Sequence, residues 1–134
     1  IGVMLGLSFP AGKYLEELAL KSDRKFKIKP VMKGTECCLS GIENKCRKML
    51  ENGEKPEDIA FFCLKSVEAA LCGMTDAMLS EYGKLPLVYA GGVMSNCIIR
   101  NTIENKYGGI FAKSEFSSDN AAGIAVLAAE AYKR

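Results

Sequence analysis

With 134 residues, 49% of them apolar and 25% charged, the chain has the make-up of one globular domain able to bury a core, which excludes disordered, collagen-like and low-complexity readings. Eighteen basic against sixteen acidic side chains leave a net charge of +2, too small a surplus to argue from charge alone for nucleic acid or an anionic membrane. No apolar run reaches the ~18 residues that a bilayer span needs, and nothing resembles a signal peptide, so a cytoplasmic protein with no membrane partner is expected. Histidine is absent, which removes Ser-His-Asp triads, Cys-His nucleophile pairs and HExxH zinc sites. The six cysteines, Cys37, Cys38, Cys46, Cys63, Cys72 and Cys97, contain no CxxC pair and read as reduced, buried thiols.

The apolar run over residues 1–7 opens as if inside a longer protein, and Ser8-Phe9-Pro10-Ala11-Gly12 reads as a turn before a short helix over residues 13–20. Residues 24–31 alternate, with Lys25, Lys27 and Lys29 against Phe26 and Ile28, the period of a short strand. Its lysines either blunt an exposed sheet edge or form a phosphate-binding strip. Ser40 reads as the cap of a helix over residues 42–51, stopped by Asn52-Gly53. Pro56 suits the first turn of a long helix. Along it Ile59, Cys63, Val67, Ala70, Leu71, Met74 and Met78 recur at three- and four-residue steps, making it the buried spine. Residues 85–90 read as a fully buried parallel strand ending in Gly91-Gly92, followed by a helix over residues 95–106, a strand over residues 110–112, and a helix over residues 121–132 capped by Ser117-Ser118-Asp119-Asn120. The order strand, helix, strand, helix argues for an α/β layer with a parallel sheet.

In open α/β sheets ligands gather beyond the carboxyl ends of the strands, where the next helix offers free N–H groups. Two such places occur. In Ala90-Gly91-Gly92-Val93-Met94-Ser95-Asn96, glycine admits a nucleotide close to the backbone and Asn96 offers an amide to ribose or phosphate. In the second, Asp119 places a carboxylate at a helix start. Taken singly each stays open, the first as a plain turn and Asp119 as a simple cap.

Phe9-Pro10-Ala11-Gly12 before Leu15-Glu16-Glu17-Leu18-Ala19, then Leu39-Ser40-Gly41-Ile42, then the Ala90 to Asn96 loop with Arg100, then Ser118-Asp119-Asn120-Ala121-Ala122 with Ile124-Ala125 together resemble the threonylcarbamoyl transferase family that modifies tRNA adenosine. This family was formerly catalogued as O-sialoglycoprotein endopeptidase, or glycoprotease. The resemblance runs through essentially the whole chain and covers the family's C-terminal part. It implies the actin-like ATPase fold of two ribonuclease-H-like lobes, with residues 1–134 as a single domain, a helix-rich α/β piece of the C-terminal lobe with a short parallel sheet. It also implies an adenine nucleotide or threonylcarbamoyl-adenylate held by Gly12, Glu16, Gly91, Gly92 and Asn96, with Glu16 reaching the ribose. Asp119 is implied as the third ligand of an iron- or zinc-type divalent metal, the other two being histidines of an HxxxH motif in an N-terminal half. No catalytic residue is implied in this chain, which is expected to be inactive alone.

Two departures stand beside the matches. Pro10-Ala11-Gly12-Lys13 replaces the family's Pro-Gly-Gly-Pro and sets a cation beside the implied phosphate site. Ser40-Gly41-Ile42-Glu43-Asn44 replaces Ser-Gly-Leu-Lys-Thr, a charge reversal that counts against tRNA as a partner. The expected partners are a second copy in a homodimer, the chain's own N-terminal half, or a superfamily partner protein. The alternatives are a degenerate paralogue serving as a dimerisation or docking module and, third, a metallopeptidase as the older family name suggests.

Overall fold

The computed structural model describes residues 1–117 and 121–133. In chain order it contains α1 (Gly12–Ala19), β1 (Val31–Lys33), β2 (Glu36–Cys38), α2 (Ser40–Glu51), α3 (Pro56–Tyr82), β3 (Val88–Tyr89), α4 (Cys97–Tyr107), β4 (Ile110–Phe111) and α5 (Ala121–Tyr132). Pro56 opens α3 with no N–H to leave unsatisfied, Glu57 and Asp58 complement the helix dipole in its first turn, and Gly83 at φ 76° ends it. Ile59, Ala60, Cys63, Leu64, Ser66, Glu68 and Ala70 are its buried residues. Around them pack α1, α2, α4 and the β1–β2 hairpin. The core adds Leu15 and Ala19 from α1, Cys46 from α2, and Met94, Ile99 and Ile103 around α4. The spine expected from the spacing is therefore found, although burial fades after Ala70 and Met78 is exposed.

The fold class holds: a helix-rich α/β arrangement with a short parallel sheet. In it β3 and β4 pair Val88 with Ile110 and Tyr89 with Phe111, with α4 as the crossover, and α5 has the expected bounds. Four local expectations are corrected. Residues 24–29 form no strand. Their alternation is kept, with Phe26 and Ile28 half-buried and the lysines exposed, but Phe26 rests on Phe61 and Phe62 of α3 at ring distances of 6.3 and 5.3 Å rather than joining a ladder. Pro30, which has no N–H to donate, separates this segment from the hairpin that begins at Val31. That antiparallel hairpin, unforeseen in the cysteine-rich stretch, turns at Gly34 (φ 61°) and lies so close to α3 that a Cβ on Gly73 would come within 2.9 Å of the Met32 sulfur.

Ser40 is the first residue of α2, not its side-chain cap; its hydroxyl lies 3.0 Å from the Cys38 sulfur. The strand over residues 85–90 shrinks to two residues and is not fully buried, since Val88 is 68% exposed. Among the described residues only β4 pairs with it. Finally, Gly92–Ser95 form a 3-10 turn, and α4 starts at Cys97 instead of Ser95. The implied cap and metal ligand Asp119, with Ser118 and Asn120, lies outside the described residues.

The cysteines are free thiols, but only Cys46 and Cys63 are buried and Cys38 is exposed, so the expectation of buried thiols holds for a minority. No described helix is long and apolar enough to cross a membrane. The accessible surface is 9334 Å², against about 6,900 Å² for a compact monomer of this mass by the usual scaling. Its exposed apolar side chains include Ile124, Val126 and Leu127 on α5 and Val88 and Ile110 on the sheet.

Ile103 is fully buried between α4 and the core, so Ile103→Ala is expected to lower the unfolding free energy by about 2 to 5 kcal/mol in urea titrations. Val88→Ala on the uncovered strand should change it by less than about 0.5 kcal/mol.

Candidate functional site

A cavity of about 490 Å³ opens between α1, α3 and the entry to α4. Gly12, Glu16, Gly92 and Asn96, four of the five residues singled out for nucleotide binding, line it together with Lys13 and Ser95. Its apolar wall is Leu15, Leu64, Val67 and Ile99. Residues more than 75 positions apart in the chain thus share one hollow whose apolar lining carries a few convergent polar groups, the usual make-up of a small-molecule site. A Cβ on Gly12 or Gly92 would meet no atom within 4 Å, so packing within the chain does not demand glycine at either place. Gly91, the fifth residue, stands one step outside the lining and makes the turn into the 3-10 segment at φ 99°.

The two helix starts at this cavity differ. At α4 the Asn96 side-chain oxygen accepts from the Ile99 N–H at 3.1 Å, and Glu16 reaches across from α1 to accept from the Cys97 N–H at 2.7 Å. Glu16 therefore closes the start of α4, and a phosphate placed there would meet a carboxylate. Ala11 at the start of α1 supplies no side-chain cap, which leaves first-turn N–H groups open beside Lys13. Asn96 is 8% exposed, and its amide nitrogen, having no part in the cap, is the atom left for a ligand.

Arg100 does not join the cavity; its guanidinium lies 4.8 Å from the centre of the Phe111 ring, which stacks on Tyr89 at 4.9 Å. The charge reversal at Glu43 is internally answered by Arg47, 2.8 Å away. Among the described residues no three His, Cys, Asp or Glu side chains converge to hold a metal ion; Asp119, the one implied ligand in this chain, lies outside them.

Comparison with known proteins decides the family. The family model of TsaD, tRNA N6-adenosine threonylcarbamoyltransferase, matches residues 1–126. The chain belongs to this family. It is 34% identical to the tRNA N6-adenosine threonylcarbamoyltransferase of Nautilia profundicola, over 100% of this chain and 44% of that one. Against the enzyme of the same name from Thermococcus gammatolerans the identity is 30% over 75% of this chain and 31% of the other. A probable bifunctional tRNA threonylcarbamoyladenosine biosynthesis protein of Thermoplasma acidophilum is 30% identical over 96% of this chain and 25% of its own length. The chain thus spans less than half the length of these curated relatives. All three are named for tRNA threonylcarbamoyladenosine chemistry and none for proteolysis, so glycoprotease survives only as an old family name.

Sequence reasoning missed the chemistry of two thiols. Hydrogen bonds from Ser40 hold the exposed Cys38 thiol below its ordinary pKa, whereas the hydrogen bond to Glu16 pushes the Cys97 thiol up. The thiolate is the nucleophile, so Cys38 should be alkylated by iodoacetamide well ahead of Cys97 near neutral pH, as read by peptide mass mapping. Ser40→Ala is expected to slow Cys38, and Glu16→Gln to speed Cys97.

Proposed function

We propose that this chain is the nucleotide-binding part of a threonylcarbamoyl-transferase-type enzyme, holding an adenine nucleotide or threonylcarbamoyl-adenylate in the cavity between α1, α3 and α4. The observation that carries this reading is the gathering of Gly12, Glu16, Gly92 and Asn96 on one hollow. In this reading Leu15, Leu64, Val67 and Ile99 take the flat apolar part of the ligand. The open first turn of α1 and Lys13 take its phosphate, and the Asn96 amide nitrogen donates to a ligand oxygen. Glu16, which accepts from the Cys97 N–H and lines the same cavity, presents its carboxylate to a ribose hydroxyl.

The whole enzyme's role would be the modification of tRNA adenosine, in which the amine attacks the carbonyl of the activated carbamoyl group and AMP leaves. This chain's share is to bind and orient the adenylate in the cytoplasm; it provides no general base and stays inactive alone. A second reading, a dimerisation or docking module, draws on the bare apolar side chains of α5, and the two are compatible. We propose that the isolated chain pairs with a second copy through α5 and the β3–β4 sheet.

Isothermal titration with ATP, ADP and AMP tests the nucleotide reading; no binding of any of the three would end it. Asn96→Asp keeps an oxygen to cap α4 but loses the N–H donor, so the fold should stay within about 0.5 kcal/mol while nucleotide affinity falls by about 1 to 3 kcal/mol. Unchanged affinity would remove Asn96 from the site. Light scattering at micromolar concentration should return at least twice the monomer mass of 14.5 kDa, and a monodisperse monomer would refute the pairing.

A further inference from the structure

Five positive charges, Arg24, Lys25, Lys27, Lys29 and Lys33, fall within ten residues that contain no carboxylate. They are a large share of the chain's basic side chains: the eighteen less these five leave thirteen against sixteen acidic ones. Arg24 is engaged by Glu54 and Asp58, but Lys25, Lys27, Lys29 and Lys33 are exposed and form no ion pair with the described residues. Lysines of this kind protect a bare sheet edge from pairing with another chain. Lys33 closes β1, but Lys25, Lys27 and Lys29 have no edge to protect, because residues 22–30 belong to no sheet.

Burial alternates along the segment, which is held by its other row of side chains. Phe26 sits on Phe61 and Phe62, and Ile28 is half-buried. That leaves Lys25, Lys27 and Lys29 on the outward row, where a strand-like rise would set them about 6.6 Å apart, comparable to the spacing of successive phosphates along a nucleic-acid strand. A cavity lies on either side of the row. One, of about 470 Å³, is lined by Lys27, Lys29 and the Lys65–Glu68 ion pair; the other, of about 360 Å³, by Lys27, Lys29 and Lys45. Lysine ammonium groups act as point charges toward phosphate and read no sequence.

We propose that the row Lys25, Lys27 and Lys29, extended by Lys33 and Lys45, is a surface that tracks the phosphate backbone of an RNA, and specifically of the tRNA substrate in the function proposed above, on which this inference rests. RNA is favoured over a membrane because the apolar row that would enter a bilayer is turned onto α3.

The test is fluorescence anisotropy of the 134-residue chain with an unmodified tRNA transcript at 50 and 200 mM salt. The triple variant Lys25→Gln/Lys27→Gln/Lys29→Gln is expected to bind at least about tenfold more weakly and to lower the slope of log K against log salt by about 2 to 3. Lys48→Gln/Lys55→Gln/Lys84→Gln, an equal charge loss elsewhere on the surface, should stay within about twofold of the unaltered chain. The single charge reversal Lys27→Glu must also weaken RNA, and circular dichroism must show unchanged helix content in all variants. Absence of RNA binding by the unaltered chain, equal loss in both triple variants, or Lys25/27/29-dependent binding to vesicles containing phosphatidylglycerol without RNA binding would each overturn the proposal. Nucleotide titration of the same proteins separates the two readings. RNA binding that follows the lysine row without nucleotide binding sinks the cavity assignment alone, and nucleotide binding without RNA binding sinks the lysine row alone.

Discussion

The apolar arc on the first half of α3 is the constraint from which the rest of the structure follows. Ile59, Cys63, Leu64 and Ala70 must be removed from water, and no single neighbour is long enough to cover a helix of 27 residues, which runs about 40 Å. Four short elements share the task. Where α1 and α4 approach the same side of α3, their gap is floored by Cys63, Leu64 and Val67, and that gap is the cavity. The candidate site is thus a by-product of covering one long helix with short ones.

The bond from the Cys97 N–H to Glu16 is what ties α1 to α4 across this gap. It satisfies a helix-start donor that would otherwise need water or a ligand, and it also brings a negative charge to the end of α4 where an anion would otherwise be favoured. In the proposed nucleotide site the phosphate therefore belongs toward α1, where no side chain caps the helix and where this chain has lysine in place of the family's second proline. The substitution Pro-Gly-Gly-Pro to Pro10-Ala11-Gly12-Lys13 and the closure of α4 act in the same direction.

Helices were legible from the sequence because their signals are local: Pro56 at the first position, the three- and four-residue recurrence from Ile59, and the Asn52-Gly53 stop. The parallel pairing of β3 and β4 followed from the strand–helix–strand order. What failed was whatever depended on a partner. Alternation at residues 25–29 correctly sorted inward from outward side chains, yet alternation marks any extended segment with one seated face, and here the seat is the Phe61 and Phe62 rings, not a neighbouring strand. Ser40 carries a capping side chain but spends its hydroxyl on Cys38. The four glycine, carboxylate and amide positions that line the cavity were implied as a set by the family resemblance, not by any local signal. That Glu16 would bond to α4 was not, because nothing in the sequence fixes the distance between positions separated by 81 residues.

The surface left uncovered is of two kinds, and they have different physical consequences. The exposed lysines within residues 24–33 are well solvated and cost little to leave in water. The apolar side chains of α5 are another matter: Ile124, Val126 and Leu127 are each more than 60% exposed on a helix that lacks the amphipathic division of a surface helix. Water gains nothing from contact with them, and each would stabilise an association that buried it by roughly 25 cal/mol per Å². The two surfaces thus differ in kind: a charged row held in place by the apolar residues beneath it, and a helix whose exposed apolar side chains would lower the free energy of the chain by being covered.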